Sequence, residues 1–453
     1  MTVKTQTFHA TKQKITGARD VALSVLCRVH ASGSYAGLSL HSAMDRAGLD
    51  AKDRSLCTRL TYGVIEKEVR LDYILCQLSS IPLSDLDPDV LDALRLGLYQ
   101  LMETDRIPAH AAINETVSLV SRKKSGYVNA LLRNYLRKKD DISFPDPEKD
   151  PVKALSVETS VPYALAGRMT ELFGEEGARA YLSCADPDKL TLRTNTLQIS
   201  REDLLSLLSK AHPELSFEKT PYAKAGIVTR CADPQSLTGF HEGLFMVQDE
   251  ASQLCVELAG AFPDAKILDS CACPGSKSFG MAMDAGDRAQ ILSCDLHKSK
   301  LSLIESGADR LGIRGIRTLE HDGKVPLADT TGKMDIVLCD VPCSGFGVLS
   351  KKPEIRHKDL SACAALPDIQ YGILCGASAS VRPGGTLIYS TCTVLPEENR
   401  DVIEKFVRLH PDFVLTPFVL GPSLGSEDGM LTLLPHIHHT DGFFMARLER
   451  RSR

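Results

Sequence analysis

Residues 266–277 read KILDSCACPGSK: an apolar run, then small residues, a proline and a glycine before the sequence turns helical. The pattern predicts a buried strand, a tight loop and a helix N-terminus. Four later runs repeat the strand signal, namely QILSCD (290–295), IRTLEHD (316–322), MDIVLCD (334–340) and GTLIYST (385–391), with longer helical stretches between them. Strands alternating with helices predict a parallel doubly wound sheet over residues 251–453. Ligands of such folds bind at the carboxyl ends of the strands, so the chemistry is to be sought there.

Upstream the period changes. Leu190 to Thr196 (LTLRTNT), AGIVTR and LFMVQD read as strands, and Ser200 with Asp203 opens a Leu-rich helix, which predicts a small α+β unit over residues 151–250. Residues 1–142 read as helices throughout. Asp87 and Pro88 suit an N-cap and first helical position, and Leu91, Leu94, Leu98 and Leu101 follow at helical spacing. The stretch SFPDPEKDP, with three prolines and four charges, reads as a linker. The fold expected is therefore multidomain: a helical bundle, a small α+β unit and an α/β domain.

Of 453 residues, 43% are hydrophobic and 25% charged, close to the globular average, which excludes gross disorder and fibrous repeats. The opening MTVKTQTFHATKQK has no apolar core of secretory type, no stretch is long enough to span a bilayer, and the 14 cysteines lack C-x-x-C spacing. A cytosolic protein with free thiols and no structural metal is expected. Net charge is -5, but residues 1–140 carry 20 Lys and Arg against 15 Asp and Glu, leaving 33 against 43 for the rest. Between Ser121 and Lys139 lie seven basic residues and no acid, on a helix whose Val128, Leu131, Leu132 and Tyr135 form an apolar stripe. Arg133, Arg137, Lys138 and Lys139 are then candidates for contact with phosphates, although a solvated helix face reads the same way.

Gly275 lets a backbone approach a ligand at a helix N-terminus. Asp295 follows it by 20 residues at the end of the second strand, where an acid accepts from ribose hydroxyls, and Asp322 lies at the end of the third. These features imply a nucleoside-bearing cofactor and leave dinucleotide oxidoreductases and methyltransferases both open; an acid at a strand end is equally at home as an N-cap. The fourth strand discriminates. Asp340, Pro342 and Cys343 share one turn, and the fifth strand delivers Cys392 beside it, since neighbouring strands lie about 5 Å apart. A thiolate and an acid together suit pyrimidine chemistry: addition to carbon 6, with a proton supplied at nitrogen 3, makes carbon 5 nucleophilic towards a methyl group. For Asp340 to give that proton its acidity must be weakened by burial. Cys27, Cys76, Cys255 and Cys375 are expected to be small buried hydrophobes.

The segments CACPGSK, DVPCSGFGVLSKKPEIR and STCTVLPEEN resemble the motifs of the RsmB/Nop/NSun family of S-adenosylmethionine-dependent RNA cytosine-5 methyltransferases, and VQDEASQL, LRTNTL and DGFFMARL extend the likeness. RDVALSVL, YGVIEKEVRLDYIL, LRLGLYQL, PAHAAINETV and YVNALLRN resemble a NusB-type RNA-binding domain, which marks the bacterial branch that modifies 16S ribosomal RNA. The resemblance implies an all-α NusB-like bundle, a connecting α+β domain and a Rossmann-like class I methyltransferase domain, working as a cytoplasmic monomer. It implies Cys392 as nucleophile, Cys343 as the thiol that aids product release, and Asp340 as the acid. Cys271, Ala272, Cys273, Pro274, Gly275, Ser276 and Lys277, with Asp295, Asp322 and Asp340, would hold S-adenosylmethionine. Two positions depart from the family loop CAAPGGK: Cys273 stands for an alanine and Ser276 for a glycine, and Ser276 is expected to cap the following helix. His436, His438 and His439 suggest a metal to the eye but fall where the family has a variable loop. Two other classes stay open: an RNA-binding assembly factor without catalysis, and a methyltransferase acting on transfer RNA or protein.

Overall fold

A computed structural model describes residues 17–32, 36–104, 107–184, 186, 189–231 and 233–452. The polar N-terminal stretch lies outside the described residues. The chain forms two compact units, Met1–Ser183 and Cys184–Arg453.

The first unit is helical: α1 (Ala18–Ser32), α2 (Ala36–Ala47), α3 (Ala51–Leu78), α4 (Pro88–Glu103), α5 (Ala109–Ser118), α6 (Arg122–Lys138), α7 (Pro151–Thr159) and α8 (Tyr163–Ser183), the last interrupted at Gly174. Val21, Leu26, Leu60, Val64, Leu71, Leu94, Leu98 and Leu132 form the centre of its core. Asp87 does sit at the N-cap of α4 with Pro88 behind it, but its side chain makes no capping bond; Asp87 and Asp89 instead hold the Lys124 ammonium at 2.9 and 2.8 Å. Inside the bundle Arg95 pairs with Glu68, Asp72 and Asp92, and His30 bridges Asp92 and Glu68, so that burial of five ionisable groups is offset by mutual pairing.

The stretch read as a linker is pinned down. Phe144 stacks on Tyr73, the Tyr73 hydroxyl and Gln77 amide donate to the Ser143 carbonyl, and Asp150 caps α7. Helices α7 and α8 follow it within the first unit, where the sequence reading grouped residues 151–183 with the small sheet; Ser160, just past α7, accepts from the Arg70 amide of α3. The reason is local. A proline-rich segment loses little entropy on docking and can offer its carbonyls to a neighbouring helix.

The second unit opens with β1 (Lys189–Thr194), α9 (Arg201–Ala211), β2 (Phe217–Lys219), β3 (Gly226–Arg230) and β4 (Phe245–Val247), an antiparallel sheet in the order β2-β3-β1-β4. Ser200 Oγ accepts from the Asp203 amide and donates to its carboxylate, as the sequence suggested. After α10 (Glu250–Ala259) comes the large sheet: β5 (Lys266–Asp269), β6 (Gln290–Asp295), β7 (Ile316–Glu320), β8 (Met334–Asp340) and β9 (Val381–Thr391) are mutually parallel, separated by α11 (Ser276–Asp284), α12 (Lys298–Leu311) and α13 (Leu366–Ser378). After α14 (Arg400–Leu409) come β10 (Phe413–Leu415), a hairpin of β11 (Phe418–Leu420) and β12 (Leu424–Ser426), then β13 (Met430–Leu433) and β14 (Phe443–Arg450). Strand β14 runs antiparallel to β9, pairing Phe444 with Thr391, and the order is β10-β14-β9-β8-β5-β6-β7. Buried Ile267, Leu338, Ile388 and Met445 cover one face, and Val337, Leu387, Tyr389 and Phe444 the other. Among the described residues no helix is long and apolar enough to cross a membrane.

Candidate active site

The glycine turn is built as its sequence requires. Gly275 has φ +107°, and a Cβ there would lie 2.4 Å from the Phe279 ring, so no other residue fits without displacing it. The loop is anchored by the Ala272 amide on the Cys294 carbonyl (2.7 Å) and the Gly275 amide on the Ala272 carbonyl (2.6 Å). Ser276 does not cap α11. The N-cap is Gly275, with no side-chain bond, and the Ser276 carbonyl accepts from Gln248. A side chain one residue inside the helix is past the position from which it reaches the first-turn amides, which leaves that turn open to a ligand.

Asp269, overlooked in the sequence, ends β5 fully buried. One carboxylate oxygen accepts from Ser278 Oγ (2.7 Å); the other is buried with no hydrogen bond among the described residues, and burial pushes the acid up to about 7. An orphaned acceptor beneath an open helix N-terminus fits a polar, cationic cofactor tail. Asp295 Oδ1 accepts from the His297 amide and its carbonyl from the His321 amide, which ties the ends of β6 and β7 together. Asp322 Oδ1 accepts from the Lys324 amide at 3.0 Å. Cys273 joins this edge: burial, then the neighbouring Asp295 charge, push its thiol up. The cofactor candidates from Cys271 to Asp322 thus line one end of the sheet.

At the end of β8 Asp340 is paired: Oδ2 accepts from Lys277 Nζ at 2.6 Å and Oδ1 from Ser390 Oγ at 2.8 Å. Lys277 is buried beneath the Phe443 ring, and although burial disfavours its charge, Asp340 outweighs this and holds the ammonium protonated. Cys343 and Cys392 meet as the strand spacing suggests, with their sulfurs 3.2 Å apart. The two sulfurs differ. The bond from Cys343 holds the Cys392 thiol below its ordinary value against the cost of burial, with Lys277 and Lys352 assisting, while the same bond and burial push Cys343 well up. Of the two, Cys392 is the more acidic thiol.

Other expectations separate. Cys255 is buried, but Cys76 is exposed and Cys27 half-buried, and Cys375 Sγ lies 3.4 Å from His410 Nε2. His438 Nδ1 accepts from the Leu434 amide (2.9 Å), a local cap, and among the described residues no group of three metal-ligating side chains is assembled. Arg133, Arg137 and Lys138 are exposed on α6 and Lys139 at its C-cap, while Val128, Leu131, Leu132 and Tyr135 of the helix are buried.

Read along the sheet, the chain order is third, second, first, fourth, fifth strand, then an antiparallel last strand inserted beside the fifth. That order, with its ligand groups at the carboxyl ends, defines a Rossmann-like class I methyltransferase. Residues 259–449 match the family model of 16S rRNA methyltransferase RsmB/F, and residues 16–137 match the NusB family. The chain is 34% identical to the probable ribosomal RNA small subunit methyltransferase B of Bacillus subtilis, covering 97% of this chain and 100% of that one. It is 31% identical to the ribosomal RNA small subunit methyltransferase B of Pseudomonas putida, covering 95% and 98%. The chain belongs to the RsmB/F family of 16S ribosomal RNA methyltransferases. Its fold is also that of the crystal structure of PH0851 (TM-score 0.80, 23% identity, 96% and 99% covered) and of NSun6 from Pyrococcus horikoshii with SFG (TM-score 0.56, 21% identity, 64% and 99% covered).

Proposed function

We propose that this methyltransferase acts on carbon 5 of a cytosine in 16S ribosomal RNA through a covalent bond between Cys392 and carbon 6 of the base. The observation that carries the reading is the sulfur pair: two sulfurs 3.2 Å apart, Cys392 the more acidic of them, next to the ion pair of Lys277 and Asp340. S-adenosylmethionine, when bound, supplies an electrophilic methyl group. The open first turn of α11, the Cys271–Lys277 loop, Asp295 and Asp322 would hold it, and Asp340 stands at its reactive end.

Cys392 adds to carbon 6 as its thiolate, and the Asp340–Lys277 pair supplies a proton at nitrogen 3, so that the electron pair moves to carbon 5. Carbon 5 takes the methyl group, then loses its own proton to solvent; that C–H electron pair restores the ring double bond as the Cys392–carbon 6 bond breaks with its electrons on sulfur, and nitrogen 3 returns its proton to the Asp340–Lys277 pair. Cys343 serves this last stage by donating a hydrogen bond to the departing Cys392 sulfur, which leaves as a thiolate. The exposed cations Arg133, Arg137, Lys138 and Lys139 engage RNA phosphates. The protein works as a monomer on naked RNA or an early assembly intermediate, and 14 unbridged cysteines suit a reducing cytoplasm.

The test is adduct trapping with RNA containing 5-fluorocytosine. Cys392→Ala is expected to abolish both methyl transfer and trapping, and Cys343→Ala to form an adduct and retain it. A trapped complex in the Cys392 variant would reverse the assignment. Mapping the base labelled from S-adenosylmethionine in 16S RNA, with transfer RNA as competitor, checks the substrate.

A further inference from the structure

Glu398 is a buried carboxylate that the reaction above does not use. It sits 1% exposed on the short turn after β9, and its Oε2 accepts from the Ser344 amide (2.9 Å) and from Gln370 Nε2 (2.8 Å). Gln370, also buried, donates in addition to the Pro342 carbonyl (3.0 Å). Lys358 donates to the Ser344 carbonyl (2.6 Å), and the Ser344 and Thr393 hydroxyls meet at 2.7 Å. The backbone on both sides of Cys343 is thus gripped by side chains, and two of those grips run through Glu398. Its own turn is fixed in return: Tyr389 donates its hydroxyl to the Glu398 carbonyl, and the neighbouring Asn399 bonds Thr391 and Thr393 at the base of Cys392.

We infer that Glu398 is a positioning residue for the sulfur pair: its carboxylate fixes the Pro342–Ser344 turn at hydrogen-bond distance from Cys392, and its charge keeps the shared proton on Cys343. The inference rests on the reading of Cys343 and Cys392 as the reacting thiols. The second part follows from the charges around the pair. Cys343 is faced by Glu398 and by the Tyr389 phenol, and lies one residue from Ser344, where Lys358 is engaged. Cys392 is faced by Asp340, Lys277 and Lys352. A buried carboxylate on the Cys343 side and two cations on the Cys392 side favour this assignment, and Asp340 opposes it. Both hydrogen bonds fall on Oε2; Oε1 is buried with no hydrogen bond among the described residues.

The test is alkylation of the full chain with iodoacetamide, in which a thiolate displaces iodide and the labelled cysteine is read by mass spectrometry. Wild type is expected to label at Cys392 first. E398Q keeps an oxygen for the Ser344 amide but removes the charge, and is expected to shift label from Cys392 to Cys343 and to displace the pH profile of labelling. E398D keeps the charge with a shorter reach; it is expected to retain Cys392 as the labelled sulfur while methyl transfer falls about tenfold or more through misplacement of the turn. Label distribution in E398Q identical to wild type would overturn the inference. If E398Q does not fold, wild-type transfer by E398D would overturn it. These readouts are separable from the reading of the reaction, because alkylation needs no RNA: an active Cys392→Ala enzyme would refute the reaction scheme and leave the labelling result standing.

Discussion

Gly347 has no left-handed backbone conformation, yet it is where the end of the strand leading to Cys392, the loop after Cys343 and the start of the last strand converge. Its amide donates to the Cys392 carbonyl at 2.9 Å and its carbonyl accepts from the Gly442 amide at 2.8 Å. A Cβ built there lies 1.9 Å from the Gly442 carbonyl oxygen and 2.8 Å from that of Cys392. An ordinary carbon-to-oxygen approach is about 3.3 Å, so Gly347→Ala must move backbone by roughly 1.4 Å somewhere among the three segments. No flexible side chain can absorb this. Overpacking of that kind costs about 1 to 3 kcal/mol, or roughly 2 to 12 °C of melting temperature for a unit of this size. The effect on chemistry is larger, because a misplacement of about 1 Å at a reacting group costs on the order of 10²-fold in rate. Single-turnover methyl transfer with labelled cofactor, beside a thermal melt, reads both. A variant that melts lower but transfers methyl at the wild-type rate would refute the claim that Gly347 sets the position of Cys392.

Asp295→Ala should weaken S-adenosylmethionine binding at least about tenfold, since two ribose hydrogen bonds to a charged acceptor are worth roughly 1.5 to 3 kcal/mol each. Asp295→Asn, which still offers an oxygen to the His297 amide, separates that loss from loosening of the turn; unchanged calorimetry in both variants would remove Asp295 from the site. Replacing Arg133, Arg137 and Lys138 together by Ala should weaken RNA binding and lower the salt slope by about 0.7 to 0.9 for every phosphate no longer neutralised, with cofactor affinity untouched; an unchanged slope would make α6 only a solvated face. In the bundle, burial disfavours charge on His30, but Asp92 and Glu68 prevail and raise it from about 6.5 to about 9. A raised folded value means stability that is present below pH 6.5 or so and is lost as the pH climbs through about 9. The melting-temperature gap between wild type and His30→Gln should therefore shrink over that window, and a constant gap would show that the pairing carries no proton linkage.

The strands of the large sheet and the two cysteines were legible because both depend on local pattern. Each apolar run ends at or just before its candidate site residues, and parallel neighbours must bring those ends together. The antiparallel β14 beside β9 was not legible, since FFMARLER alternates no differently from a surface strand and its partner lies some 50 residues away. Asp269, Glu398 and Gln370 escaped for another reason. Each is a polar residue whose value lies in being buried, and burial of a polar side chain is a property of the assembled fold that no periodicity announces. Ser276 misled because capping depends on a helix boundary one residue away, the least certain feature of any sequence reading.

Attraction of a polyanion is the remaining demand on the protein, and the charges at the reaction centre are poorly placed to meet it. Lys277 is spent on Asp340, and Lys351 is held between Asp249 and Asp441. Each such cation is screened at short range by its own carboxylate, and the residues beyond 140 carry ten more acids than bases. On α6 the situation is reversed: Lys124 alone is compensated, by Asp87 and Asp89, while Arg133 spends one nitrogen on the neutral Asn129 and Arg137, Lys138 and Lys139 are exposed with no ion pair among the described residues. Counterion release on binding scales with cations that reach phosphate, not with cations already neutralised. On the proposed function, long-range capture of RNA is therefore expected to fall to the helical unit, and removal of three cations from α6 is expected to be felt in the salt dependence and not at the cofactor.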